Sequence, residues 1–454
     1  MPEIQLPLGM KGIFKVPKSN EALVNVFNNL EGQILPRDGI VLLSTLAGGA
    51  RGSFKWNDSL YAVFGTTLYK VTNVVTGATS AIGTITGSGD IQTAIGFNDA
   101  VIVDPGGDIF TLDTADTLTD ISGNANFQPC VDVAHINGRF VYIPSNGDPA
   151  FFSDVGAAGT VQATSFFDAE ELPDRNNGVF NFGNTLYICG EQSIELFRDV
   201  GTSPVPFQRV QGATLRWGYI GGLLEYTDTF LFVGRERSQD YGIYAIQSGR
   251  ALKISNAWID NVLRDHTALQ RSQTVPGRVK FRGYDVATFT LANDSYGFYK
   301  GNWFRLDTVD NGESKPWRGG FITELDGHYY TASETELGIF DQVDEDFGSS
   351  ITRQIDIGFQ HPDNEWFSAQ KLQLVISQGF NSAKRTVGLF TSQDNVLYGP
   401  GLFKELGELG EYEMKLDWNP VGGLGSYDGF MGLRIYTTQD LVFATNGAFL
   451  DVRP

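Results

Sequence analysis

The chain has little of what most functional assignments from sequence rest on. Only two of its 454 residues are cysteines, Cys130 and Cys189. Two cannot build a disulfide framework, and each sits in or beside a strand-like pattern, which predicts buried thiols. The four histidines, His135, His266, His328 and His361, are scattered. None stands at helical spacing from a second histidine or near a cysteine pair, so no zinc site is indicated. Basic residues are few, 33 against 53 acidic ones, for a net charge of −20. That balance argues against a surface that grips nucleic-acid phosphates and against an anionic membrane as partner. Long apolar runs are missing too. GIVLLSTLAGGA (39–50) is too short to span a bilayer, and MPEIQLPLGMKGIFKVPKSN at the N-terminus has no apolar signal-peptide core. The expectation is a protein made in a cytoplasm, soluble, with no membrane insertion. No P-loop, Gly-x-Ser-x-Gly elbow or dinucleotide fingerprint occurs.

What is present is a repeat. WNDSLYAVFGTTLYKV (56–71) reads as a β-hairpin, with apolar residues alternating on either side of a glycine-threonine turn. Six more copies follow, from Phe97, Ile136, Phe182, Tyr226, Tyr284 and Leu325. Aligned at their second residues they begin at Asn57, Asn98, Asn137, Gly183, Thr227, Asp285 and Asp326, in steps of 41, 39, 46, 44, 58 and 41. A period near forty built from hairpins is the signature of β-propeller blades, small sheets that bury their faces by stacking radially on one another. The seven hairpin repeats predict seven blades. Six is the alternative, because the sixth copy is degenerate. No WD dipeptide or kelch double glycine marks the blades.

At 454 residues the chain exceeds one ordinary core. The fold class expected is all-β, a β-propeller followed by a C-terminal β-sandwich. Residues 1–45 form an N-terminal segment that closes the propeller or joins a platform, and GIVLLS within it is placed as a strand completing the last blade. Residues 46–348 form the propeller, with loop insertions near 155–178 and 255–278. In the second insertion Ser255 is placed as the N-cap of one short amphipathic helix carrying Trp258, Val262 and Leu263. From about Ile351 the hairpin period stops and longer strands appear, ITRQIDIGF to LVFATNGAFLDV, so 349–454 is assigned to a platform-like β-sandwich.

Motifs in order then carry a resemblance. Arg353-x-x-Asp356-x-Gly358 opens the C-terminal third, followed by a long strand ending near Gly379 and by Ser392-Gln393-Asp394 before Tyr398-Gly399. Gly407 to Asp417 leads to Trp418-Asn419-Pro420, then Met431 to Tyr436, Gly447 and Asp451. With LVNVFNNLEGQILPRDGI near the N-terminus and ALKISNAWIDNVL from Ala251, this order resembles the tail-hub or nozzle proteins of short-tailed bacteriophages (podoviruses), also called packaged-DNA stabilisation proteins. In that family an Arg-Pro-Gly turn is expected where this chain has Arg37-Asp38-Gly39. The resemblance implies a structural virion protein of the phage tail, assembled in the host bacterial cytoplasm. It implies a homohexameric ring below the tail adaptor that extends the DNA channel, retains the packaged DNA until ejection, and docks tail fibres or spikes.

Candidate chemistry weighs against an enzyme. Ser392-x-Asp394-x-x-x-Tyr398 is close to the Asp-box of sialidase-type propellers, a structural turn without catalysis. The acidic run 341–348, DQVDEDFG, has the oxygen ligands of a calcium loop without EF-hand spacing, and a solvated acidic linker is preferred. Asp168, Glu170, Glu171 and Asp174 on the first insertion are the candidates for a glycosidase carboxylate pair, and nothing raises one above the rest. No catalytic, cofactor-binding or metal-binding residue is assigned. The alternatives from other classes are a carbohydrate-active propeller enzyme and a protein-binding propeller.

Overall fold

The fold is that of a computed structural model, which describes residues 4–6, 23–105, 107–147, 149–169, 171–172, 174–236, 241–247, 249–310, 313–361, 363–376, 385–410 and 416–453. Seven small antiparallel sheets follow one another as blades 1 to 7, at 50–84, 92–120, 130–167, 176–209, 217–253, 275–310 and 321–341. The first six have four strands each from consecutive sequence. Blade 7 supplies three, and its fourth is Gly39–Thr45, which runs antiparallel to Glu336–Asp341 with Ile40 opposite Phe340. The first strand of each blade packs beside the first strand of the next, and that of blade 7 (Phe321–Leu325) packs beside that of blade 1 (Ala50–Trp56), so the ring is closed.

The hairpin pattern explains why blades stack. In the second strand of blade 1, Ser59–Phe64, successive side chains point to opposite faces. Leu60, Ala62 and Phe64 pack with Leu325, Tyr330 and Leu337 of blade 7, while Tyr61 and Val63 pack with Ala100, Ile102 and Phe110 of blade 2. Both faces therefore leave water, and the strand reads as nearly continuous apolar sequence. The degenerate sixth copy makes a full blade, Val275–Phe281, Tyr284–Thr290, Ser295–Tyr299 and Asn302–Asp310. The count is seven, and the six-blade alternative falls.

The residues that align the repeat have a structural task. Asn57 and Asn137 turn the hairpin with φ of 45° and 49°, the left-handed region that asparagine tolerates better than most residues. Their side chains then reach the next blade, Asn57 Nδ2 donating to Thr114 O at 3.5 Å and Asn137 Nδ2 to Asp199 Oδ2 at 3.2 Å.

Beyond the propeller two sheets face each other. One is built on Phe443–Arg453, paired with Trp366–Ile376, Gln33–Pro36 and Ile4–Leu6. The other holds Arg353–Gln360, Phe430–Thr437, Thr386–Ser392 and Leu402–Glu405. Phe27, Ile34, Ile355, Leu372, Leu433 and Leu450 are among the buried residues between them. The second sheet does not stop at the domain edge. Val24 pairs antiparallel with Gln354 and parallel with Arg305 of blade 6, so blade 6 and the sandwich share one ten-stranded sheet.

The 255–278 insertion holds two helices, α1 (Ala257–Asp265) and α2 (Ala268–Ser272). The cap of α1 is Asn256, which accepts from Ile259 N. Ser255 is unfit for that role because its hydroxyl accepts from Ile243 N and donates to Asp260. Thr267 and Gln270 form a capping box on α2. Gly379 and Glu170, and most of the N-terminal twenty residues, lie outside the described residues.

Candidate functional site

The residues singled out for chemistry are dispersed and mostly committed to structure. Cys130 and Cys189 are buried free thiols, pushed well above their ordinary range by burial. Among the described residues no group of three His, Cys, Asp or Glu side chains is placed to hold a metal ion. Asp174 accepts from Gln192 N, Ser193 N and the Ser193 hydroxyl, which ties it to a turn of blade 4. Glu171 accepts from the Thr214 hydroxyl, and Asp168 is exposed. The described members of that carboxylate set therefore do not converge on a pocket. Asp394 accepts from the Ser392 hydroxyl and from Val396 N and Leu397 N at 2.8 and 2.9 Å, the bonding of a structural turn. These three donors hold its carboxyl below the usual range, the Leu397 N–H most of all.

The densest polar constellation lies where the propeller meets the sandwich, and it is built from the Arg37-Asp38-Gly39 triplet. Arg37 is fully buried and forks onto Asp346, with Nη1 to Oδ1 at 2.8 Å and Nη2 to Oδ2 at 2.5 Å. Its Nε donates to Asn25 Oδ1 at 2.8 Å, and its other contacts reach the carbonyls of Asp38 and Asp307. Asn25, at φ 56°, donates to Asp307 and to Thr352 O. Asp38 pairs with Arg282 of the first turn of blade 6, at 3.1 Å, and Arg282 also pairs with Asp440 of the sandwich. Burial pushes the Asp38 carboxyl up, and Arg282 opposes that through its backbone N–H and its charge. Arg353, the first residue of its sandwich strand, pairs with Asp344 at 2.9 Å. Burial pulls its guanidinium down and Asp344 offsets this.

The acidic run 341–348 is thus only partly a solvated linker, with Asp341 and Glu345 exposed. Asp344 and Asp346 face buried arginines from other segments, and the favourable energy of each carboxylate depends on its partner. Sequence reasoning placed Arg37 in a turn and missed its partner, since 309 positions separate the two. The available signal was three charges, Arg37, Asp38 and Arg353, at strand boundaries. A similar staple joins blades 1 and 2, where buried Arg51 meets Asp104 at 2.9 Å and donates to the carbonyls of Gly65 and Gly89.

An ion-pair joint without a reactive cluster is the geometry of a structural part, and similarity to known proteins agrees. Residues 6–344 match the model of the phage-stabilisation family, described as bacteriophage P22 Gp10, beta-propeller. The chain belongs to that family. A curated relative, the tail hub protein gp10 of Salmonella phage P22, is 23% identical over 479 aligned residues covering 98% of each chain. The family is structural, so the protein is not an enzyme. The resemblance read from the motif order is therefore correct at family level. Among solved structures, the N-terminal domain of Nup159 is 10% identical, covering 70% of this chain and 98% of that one, with a TM-score of 0.41. The WD40 β-propeller domain of Doa1 is 12% identical, covering 67% and 98%, with a TM-score of 0.39. The propeller assignment rests on the strand pairing given above.

Proposed function

We propose that this protein is a tail-hub subunit of a short-tailed phage. Copies of it form a ring, six by family resemblance, below the tail adaptor. The ring extends the DNA channel, retains packaged DNA and docks fibres or spikes. The observation that carries this reading is the family match over 6–344 together with a tail-hub relative aligned along 98% of both chains. The joint supports it. A part that transmits load between neighbours gains from a propeller and sandwich fastened by a shared sheet and buried ion pairs.

The charge fits a conduit. Gripping DNA takes Lys and Arg that neutralise phosphates and release counterions, and a chain at −20 repels a duplex at long range. Arg235, exposed at the end of a blade 5 strand, could with Arg237 two positions on hold a DNA end locally. Native mass spectrometry of the protein with its adaptor tests the ring, expected at six times the 49.8 kDa chain. A dimer or trimer as the only assembly overturns it. Anisotropy titration of duplex DNA onto the ring, at low and physiological salt, is expected to give weak binding. Tight, steeply salt-dependent binding would replace the conduit with a DNA clamp.

A further inference from the structure

The acidic charge is unevenly distributed. Two stretches, 121–131 and 155–167, contain no Asp, Glu, Lys, Arg or His. The fold brings them together. The first links blades 2 and 3, and the second leads blade 3 to its outer strand, Phe166–Phe167. Asn124 Nδ2 donates to Gly159 O and Asn126 Nδ2 to Val161 O, each at 2.8 Å. Between them runs a groove of about 380 Å³ whose lining includes Phe127, Phe151, Phe166, Gln128 and Gln162. On its wall Phe166 is 51% exposed, and Val155, in the same uncharged stretch beside the Gly138 turn, is 63% exposed.

A third uncharged stretch, 395–403, lies on the sandwich. Val396 is 55%, Leu397 77% and Phe403 61% exposed. Phe403 belongs to Leu402–Glu405, which pairs with Thr386–Ser392 on one side and ends its sheet. A terminal strand with apolar neighbours is a surface primed for association.

Two copies at −20 repel each other at long range, and facing surfaces poor in charge lessen that cost, with the Asp154 carboxylate, which accepts from Gln162, beside the first of them. We propose that the 121–131/155–167 surface of one copy receives the 395–403 edge of the next. The two surfaces differ. One lies on blades 2 and 3, and the other on the sandwich, which is joined to blades 6 and 7 about halfway round the ring. Different surfaces on opposite sides of a subunit propagate head to tail and close into a ring when the rotation between copies closes, whereas a two-fold dimer uses one surface twice. The proposal rests on the ring reading above and names its contact.

The test is site-directed crosslinking in assembled tails. V155C and L397C are introduced singly and together, at exposed positions, while Cys130 and Cys189 are buried from the reagent. A short bismaleimide is expected to convert the double variant into a ladder of covalent multimers ending at ring size, with each single variant left as monomer. A monomer band from the double variant, beside a ladder raised on the same sample by an amine-reactive crosslinker, overturns the contact and keeps the ring. No ladder from either reagent overturns both. Crosslinks only to an adaptor, fibre or spike band also overturn the contact. Charge insertion gives a second measurement. Phe166→Asp and Leu397→Asp should each abolish ring assembly alone, and their mixture should stop at dimers, since only one intact contact remains. Rings formed by either variant count against the proposal.

Discussion

Arg37 and Asp346 are 309 positions apart and meet through two hydrogen bonds, both side chains buried at the boundary between propeller and sandwich. Breaking one side of such a pair leaves an uncompensated charge in low dielectric, a loss of roughly 3–5 kcal/mol. Arg37→Met should therefore lower the urea midpoint sharply. Adding Asp346→Leu to it should recover part of the loss, because the orphaned carboxylate is gone. Equal midpoints for wild type and Arg37→Met would remove the joint from any account of stability.

Gly39 opens the closing strand two residues after Arg37. A Cβ there would stand 2.3 Å from Glu345 O and 2.7 Å from Val343 O, both backbone atoms that cannot swing aside. Gly39→Ala should cost about 1–3 kcal/mol or more by overpacking. Gly49→Ala, with nothing within 4 Å of the added carbon, is the control and should leave the thermal midpoint nearly unchanged.

Leu186 and Tyr187 test the two-faced burial of a blade. Leu186 packs toward Val141 and Ile143 of blade 3. Tyr187 stacks on Phe180 at 4.7 Å and meets Phe230 of blade 5 edge-on at 5.2 Å. Leu186→Ala should cost roughly 2–5 kcal/mol, and Tyr187→Ala about 1–3 kcal/mol. A loss confined to one of the pair, measured as urea midpoints, would contradict stacking on both faces.

Asp132 lies on the first strand of blade 3 and accepts from Val133 N and, across the blade boundary, from Val179 N at 2.8 Å. Burial pushes its carboxyl up to about 7, against the pull of those two N–H groups, and Tyr219 and Cys189 also lie close to it. In the unfolded chain it titrates near an ordinary carboxylate value of about 4. Between these values the folded state holds the proton and the unfolded state does not, so stability falls as pH rises from about 4 to 7. Asp132→Asn keeps an acceptor and removes the charge. The difference between wild-type and variant urea midpoints should grow in favour of the variant through that window and level off above it. A difference that stays flat from pH 5 to 8 would place the titration elsewhere.

The repeat was legible because both causes of a blade are local. Turn asparagines and apolar alternation lie within sixteen residues of each other in the first copy, 56–71, and periodicity reports them directly. The joint was not, because Arg37 with Asp346 and Arg282 with Asp38 and Asp440 join segments distant in sequence. The cap of α1 moved from Ser255 to Asn256 for the same reason, since a neighbouring strand had claimed the serine hydroxyl. Asp344 and Asp346 read as solvated only while their arginine partners were unknown.

The strand that closes the ring comes from the wrong end of the chain for quick assembly. Gly39–Thr45 leaves the ribosome roughly 290 residues before its partner Glu336–Asp341, a delay on the order of 15–60 s at ordinary synthesis rates of about 5–20 residues per second. Through that interval an apolar segment, GIVLLS, has no sheet to join, and blades 1 to 6 have no seal. Ring closure is therefore a late, non-local event, of the kind that folds slowly and exposes nascent chains to aggregation.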